Sequence, residues 1–484
     1  MAKRKPIHKY NLIVLGSGPA GEKGAAQAAY FGKKVAMVER DDYLGGAAAG
    51  TTIPSKTLRE TSLALSGIRA RHLHGVDLSL KRQATVQDFL HHERWVKDAE
   101  RTRVKNNMLH HDVKVFKGIG SFVDKQTIKV EARDNTTKSL KGDIILITTG
   151  SSPRRPDNFP KDDRIYDSDS ILHIKNIPTN MVVAGGGVIG CEYACIFAVL
   201  GVKVSLIHNK EVLLPFLDRD ISFALENSMS NMGINLIMPE RVKSCNAKTN
   251  KLEIKLDSGK AIKTEAVMLA TGRTSNTGKL NLEVAGITPG KYGRLVVDQN
   301  YQVIHPETRK PVPGIYAAGD VIGAPALAST SMEQSRFAMI KAFKLEPYKE
   351  HVAPILPLGI YTIPECSLAG KTEEECREEK IDYVVGKAAY NQNARGMIIG
   401  DSDGFLKLIF EFNNDLNRPM KLLGVQVIGE SASELIHIGV SALTMGAGSN
   451  LFIDTCFNYP TLGELYKYAT YDAMGNRAKR LESE

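Results

Sequence analysis

The sequence predicts an α/β chain, and two stretches of it carry that prediction. Residues 10–40 read YNLIVLGSGPAGEKGAAQAAYFGKKVAMVER. This is an apolar strand, the turn Gly16-x-Gly18-x-x-Gly21, a helix pattern, and a second apolar strand ending in Glu39. Residues 180–210 repeat the grammar in NMVVAGGGVIGCEYACIFAVLGVKVSLIHNK, with Gly185-x-Gly187-x-x-Gly190. Two such units imply two Rossmann-like dinucleotide-binding domains. A length of 484 residues leaves room for both and for a further domain.

The first turn has physical reasons for its glycines: a tight bend, close approach to a pyrophosphate, and packing of the helix on the sheet. Glu39, eighteen residues past Gly21, is placed to accept from a ribose hydroxyl. In the second unit the matching position is His208, followed by Asn209 and Lys210. With no carboxylate to repel a 2′-phosphate and Lys210 close by, NADP is admissible and NAD is not excluded. Two dinucleotides in one chain suit electron transfer.

Composition narrows the class. Hydrophobic residues at 43% and charged residues at 24% describe a folded globular chain. The head is basic but lacks an apolar core of signal-peptide length, and the longest apolar stretch is broken by three glycines, Glu192 and Lys203. Neither secretion nor a membrane span is expected. The six cysteines contain no CxxC pair that would suggest zinc or a redox couple, and a reducing cytoplasm fits them. The net charge of +9 is spread along the chain instead of massed, so it suits anionic dinucleotides better than nucleic acid.

Further motifs fall in order: ITTGSSP from Ile147, ATGRTSN from Ala270, and GIYAAGDVIG from Gly314. With both glycine turns and the string Ile-Pro-Ser-Lys ending at Lys56, they resemble the flavoprotein disulfide reductases over nearly the whole chain. That resemblance implies FAD, a homodimer or a higher homo-oligomer, and a C-terminal α+β dimerisation domain. It places FAD binding at residues 1–152 and 277–350, NAD(P) binding at 153–276, and the interface at 351–484. It also implies FAD contacts at Asp320, Gly120 and Gly150, and further cofactor contacts at Gly272 and Arg273. Lys56 and Glu192 match the family pair that lies beside flavin N5, and are the expected catalytic residues; no metal is expected.

The stretch LGGAAAGTTIPSK, residues 44–56, departs from that pattern. The reductases carry two cysteines here. Counting back from Ile53 puts those positions at Thr52 and Ala47; counting forward from the glycines puts the first at Ala48. Neither count finds a thiol. The C-terminal histidine that serves thiol chemistry is also missing, because FNYPTLGE has Tyr459 in its place while Glu464 matches the glutamate. Losing the thiols removes the need for their proton carrier.

Within the family, GTIPSK, GVIGCEYA, IYDSDSIL, GIYTIPE and FNYPT resemble the soluble pyridine nucleotide transhydrogenases, with Thr51 replacing the first glycine of that set and AAAG in a loop where they commonly keep one cysteine. The implied reaction is NADPH + NAD⁺ ⇌ NADP⁺ + NADH through FAD, by ping-pong kinetics. Two other readings stand beside it: an NAD(P)H dehydrogenase that passes electrons to a quinone or another non-thiol acceptor, and a non-catalytic nucleotide sensor. Disulfide reduction would need a migrant thiol, for which Cys191 is the candidate.

Overall fold

The computed structural model describes residues 7–67, 85–346 and 352–483; the basic stretch at residues 2–5 lies outside them. The chain divides into two compact units. One comprises Met1–Pro54, His91–Arg154 and Gly272–Ala353; the other comprises Ser55–Leu90, Arg155–Thr271 and Pro354–Glu484.

The first unit is built on a sheet whose main path runs Gln302–Ile304, Pro311–Ala317, Thr137–Ile147, Ile7–Leu15, Val35–Glu39, Lys114–Lys117. From Pro311–Ala317 to Lys114–Lys117 the neighbours are parallel. All five residues of Val35–Glu39 are buried, as expected of a strand covered on both faces. The helix Pro19–Tyr30 covers one face with small residues, and Ala20, Ala25 and Ala28 share a core with Leu12, Val14, Met37 and Leu146. The register pairs Leu15 with Ile147 and Ile147 with Ala317, so three parallel strands end together. Ligands of open α/β sheets bind beyond such carboxyl ends.

The second unit holds a five-stranded parallel sheet, in the order Asn235–Ile237, Lys203–Ile207, Asn180–Ala184, Ala266–Leu269, Ile165–Tyr166. The helix Val188–Val199 is apolar nearly all round and is buried to match, including Cys191, Tyr193, Cys195 and Phe197. Its neighbours in one core include Leu58, Phe89, Ile360 and Cys366. The same unit carries a five-stranded antiparallel sheet, Leu358–Ile360, Glu365–Gly370, Leu422–Gly429, Phe405–Glu411, Tyr383–Ala389. The helices Ala432–Thr444 and Leu465–Ser483 bury Leu435, Ile436, Tyr466 and Ala469 in a core with that sheet. Among the described residues no helix is long and apolar enough to cross a membrane.

Candidate active site

The first glycine turn follows Leu15. A Cβ on Gly21 would stand 1.9 Å from the Gly16 carbonyl oxygen, so the helix start and the turn touch backbone to backbone. Gly18 is different. Its φ of −62° suits any residue, and a Cβ there would meet no protein atom within 4 Å. Neither the backbone nor a neighbour demands glycine, which is what a surface kept clear for a pyrophosphate requires. Glu39 is buried beside the turn and accepts from Ser17 N–H at 2.8 Å, from Ser17 Oγ at 2.6 Å and from Asp41 N–H at 2.9 Å.

The other residues expected to hold FAD gather around the same strand ends. Thr148 Oγ1 donates to the carbonyls of Leu15 and Gly16, both at 3.0 Å. Asp320 Oδ2 accepts from Ser151 Oγ at 2.8 Å, and Arg273 donates to Ser151 Oγ and to its carbonyl, both at 2.7 Å. Asp320 and Arg273 are thus joined through Ser151. Gly150 accepts from Asn276 N–H at 2.9 Å, and Gly272 accepts from Arg154 N–H at 2.9 Å. Gly120 packs against Leu15 and Val38.

The second turn repeats the logic. A Cβ on Gly190 would lie 1.8 Å from the Gly185 carbonyl oxygen, whereas Gly187, at φ −83°, would meet nothing within 4 Å. His208 follows the last residue of Lys203–Ile207, and its Nδ1 accepts from Gly186 N–H at 3.2 Å. Burial, with Lys210 acting in the same direction, holds the imidazole below its ordinary pKa. Asn209 and Lys210 are exposed.

Glu192, on the helix behind that turn, meets Lys56. Lys56 Nζ lies 2.9 and 2.8 Å from the two carboxylate oxygens, and Glu192 is buried while the lysine side chain keeps 28% of its exposure. Tyr361 N–H donates to Glu192 Oε1 at 3.0 Å, and the Tyr361 ring centroid lies 5.0 Å from Lys56 Nζ. Arg59, buried on the same helix as Lys56, donates to the Thr362 carbonyl at 3.0 Å and pairs with Glu365 at 3.2 Å. This anchors the backbone that supplies the Tyr361 donor.

The loop before that helix carries no thiol. A π-helical turn, Ala48–Thr52, leads directly into Ile53–Ser66, and Ala47 and Thr52 are exposed. Five of the six cysteines are buried. Burial drives the Cys191 thiol well up and lifts Cys195 and Cys366 to about 12. Cys191 is closed off within its helix, with Sγ 3.7 Å from the Gly186 carbonyl oxygen, so it is no nucleophile. Only Cys456 is exposed.

Sequence reasoning missed Ser17, Ser151 and Tyr361. All three lie inside strings that had been noticed, but their roles depend on partners 22, 169 and 169 positions away.

Two glycine turns, each at the carboxyl ends of a parallel sheet and each with a partner on the following strand, define a protein of the two-dinucleotide class. The chain belongs to the pyridine nucleotide-disulphide oxidoreductase family, whose model matches residues 10–335 and whose dimerisation-domain model matches residues 356–470. It is 41% identical over 473 residues to a soluble pyridine nucleotide transhydrogenase of Mycobacterium bovis, covering 97% of this chain and 98% of that protein. A protein of the same name from Pseudomonas entomophila is 39% identical over 473 residues, covering 97% and 99%. Among solved structures, LpdA from Mycobacterium tuberculosis superposes with a TM-score of 0.85 at 25% identity, covering 96% of this chain and 99% of that one. The flavoprotein disulfide reductase RclA from Escherichia coli shares the fold, with a TM-score of 0.83 at 24% identity and coverage of 96% and 99%.

Proposed function

We propose that this protein is an FAD-dependent pyridine nucleotide transhydrogenase catalysing NADPH + NAD⁺ ⇌ NADP⁺ + NADH. The observation that carries the proposal is the intact Lys56–Glu192 pair in a chain with no thiol at Thr52 or at either Ala47 or Ala48, the positions that counting gives for the pair of cysteines. The charge suited to hydride movement is kept and the means of disulfide chemistry are gone. The names of the relatives at 39–41% identity support the same reading.

In this reading residues 1–152 and 277–350 hold FAD, residues 153–276 hold NAD(P), and residues 351–484 form the homodimer interface. Gly16, Gly18 and Gly21 cradle the FAD pyrophosphate, Glu39 accepts from a ribose hydroxyl, and Asp320, steadied by Ser151, meets the ribityl chain. Gly120, Gly150, Gly272 and Arg273 complete the cofactor-binding set. The clear face above Gly18 and the acceptor Glu39 fit such a ligand. When bound, FAD supplies the carrier that takes hydride from one nicotinamide and returns it to the other.

Gly185, Gly187 and Gly190 cradle the pyrophosphate of either nicotinamide nucleotide, with His208, Asn209 and Lys210 at its adenosine end. Lys56 offers positive charge to the electron-rich state of the reaction, and Glu192, held by Tyr361 N–H, keeps that charge in place. One site serving both nucleotides in turn makes the kinetics ping-pong. No side chain acts as a nucleophile, so catalysis rests on positioning and charge.

The test is anaerobic mixing of the FAD-loaded protein with NADPH, followed by a spectrally distinct NAD⁺ analogue. Flavin bleaching, then analogue reduction with recovery of the flavin, is expected. Bleaching without recovery would assign the electrons to another acceptor such as a quinone. No bleaching at all would favour a nucleotide sensor.

A further inference from the structure

A buried carboxylate stands in the first turn of the very helix whose N-terminus faces the FAD pyrophosphate in the proposed reading. Glu22 follows Gly21 on the helix Pro19–Tyr30, and its N–H donates to the Gly18 carbonyl at 2.8 Å. Its side chain is 2% exposed. The free N–H groups of such a helix start attract an anion, and a negative charge beside them works the other way.

That charge is answered from a helix 81 positions further on. Arg103, on the helix Val86–His110, donates from its two terminal nitrogens to the two Glu22 oxygens, each at 3.0 Å. Asn107, one turn later on the same face, donates to Glu22 Oε1 at 2.6 Å, and Lys23 Nζ lies 2.9 Å from the same oxygen. Burial opposes ionisation of Glu22, but Arg103 and Lys23 outweigh it and leave its pKa lowered. Arg103 also donates twice to Glu100, both at 2.8 Å, which fixes the plane of the guanidinium.

The same helix backs the loop that lies on the glycine turn. A Cβ on Gly45 would stand 3.6 Å from a Val104 methyl, and the Arg101 guanidinium carbon lies 3.6 Å from the centre of the Tyr43 ring. Gly45 N–H donates to Ser17 Oγ at 3.0 Å, and a Cβ on Gly46 would stand 3.0 Å from the Gly18 Cα. Turn, loop and helix Val86–His110 are therefore one packed assembly within the first unit.

We infer that Arg103 is a positioning residue for FAD that acts through Glu22, cancelling the carboxylate at the start of the cradle helix and holding that helix in place. The inference rests on the proposed FAD reading of the first unit and adds to it a residue outside the glycine motif.

The test follows the release of flavin from diluted holoprotein by the rise in its fluorescence. Arg103→Met should release FAD about tenfold faster, because Glu22 loses its bidentate partner and its charge is felt by the ligand. Glu22→Gln, which still offers an oxygen to Asn107 and leaves Arg103 on Glu100, should release at the unaltered rate or more slowly. The double variant Glu22→Gln with Arg103→Met should return to within about threefold of the unaltered rate, a rescue that a merely structural arginine would not show. If Arg103→Met yields no folded holoprotein, retention of FAD by the double variant carries the same result. Equally fast release, or no holoprotein, in Arg103→Met and the double variant alike would overturn the inference, as would faster release in Glu22→Gln or an unchanged rate in Arg103→Met. An unaltered protein that binds no FAD would instead overturn the reading of the first unit, and the inference with it.

Discussion

Lys56 Nζ is held by both carboxylate oxygens of Glu192, 136 positions away in the chain, at 2.9 and 2.8 Å. Lys56→Met should slow anaerobic flavin bleaching by NADPH about 100-fold, the usual cost of removing one aimed charge. FAD content should stay normal, because Glu39 and Asp320 are untouched. Glu192→Gln still offers an acceptor to Tyr361 N–H and should slow bleaching by about tenfold. Stopped-flow absorbance decides; bleaching at the unaltered rate in Lys56→Met would take the lysine out of catalysis.

The glycines separate structural from ligand demands. Gly18→Ala should fold with an unchanged melting profile yet purify without flavin, since its Cβ meets no protein atom. Gly187→Ala should keep flavin and lose ADP-ribose binding for the same reason. Gly21→Ala should fail to give folded protein, because its Cβ would fall 1.9 Å from the Gly16 carbonyl oxygen. Flavin retained at full occupancy in Gly18→Ala would argue against a pyrophosphate at that face.

Thiol chemistry should be silent. Under native conditions iodoacetamide should label Cys456 alone, because the other five thiols are buried. Labelling should leave transhydrogenation unchanged, and lipoamide or glutathione disulfide should not be reduced. Mass spectrometry of the alkylated protein with parallel assays checks both. Loss of activity on alkylation would reinstate a working thiol.

The buried ammonium of Lys407 joins three carboxylates of the second unit: Asp218 at 2.8 Å, Asp220 at 2.7 Å, and Glu373. Burial pushes the lysine pKa down, but the three acids more than reverse this and raise it. Burial likewise opposes ionisation of Asp220 and Glu373; Lys387 and Lys407 at the first, and Lys407 and Tyr383 at the second, leave both pKa values lowered. The carboxylate contribution to stability is therefore present above the ordinary range near pH 4 and is lost as pH falls through the depressed values. The lysine contribution is complete below its ordinary value near 10.4 and is lost only above it. The difference in thermal midpoint between the unaltered protein and a variant lacking this cluster should be constant between about pH 5 and 10 and shrink on acidification. Lys407→Met strands the acids and should cost about 3 kcal/mol, the low end for a broken buried pair, because Asp220 is 40% exposed.

Much of the site was legible because its signals are local. The spacing of Gly16, Gly18 and Gly21, the repeat at Gly185, Gly187 and Gly190, and the acid at Glu39 lie within single strand–turn–helix–strand units, where backbone geometry fixes which residue type serves at each position. The absence of thiols at Ala47 and Thr52 could be read by counting. Lys56 and Glu192 were named as a pair through resemblance, since nothing in their own surroundings links two residues so far apart.

By itself, then, the sequence determined the repeated dinucleotide units, the lack of cysteines in the stretch from Leu44 to Lys56, and the residue types at each glycine turn. Only the tertiary structure decided what those residues are bonded to. It placed Tyr361 N–H on Glu192, Ser151 between Arg273 and Asp320, and Gly186 N–H on His208 Nδ1. The reason is physical: periodicity and glycine spacing record what the chain does over one turn or one strand. The protonation, tautomer and charge of a buried group are set by neighbours that only the packed fold brings within 3 Å or so of it.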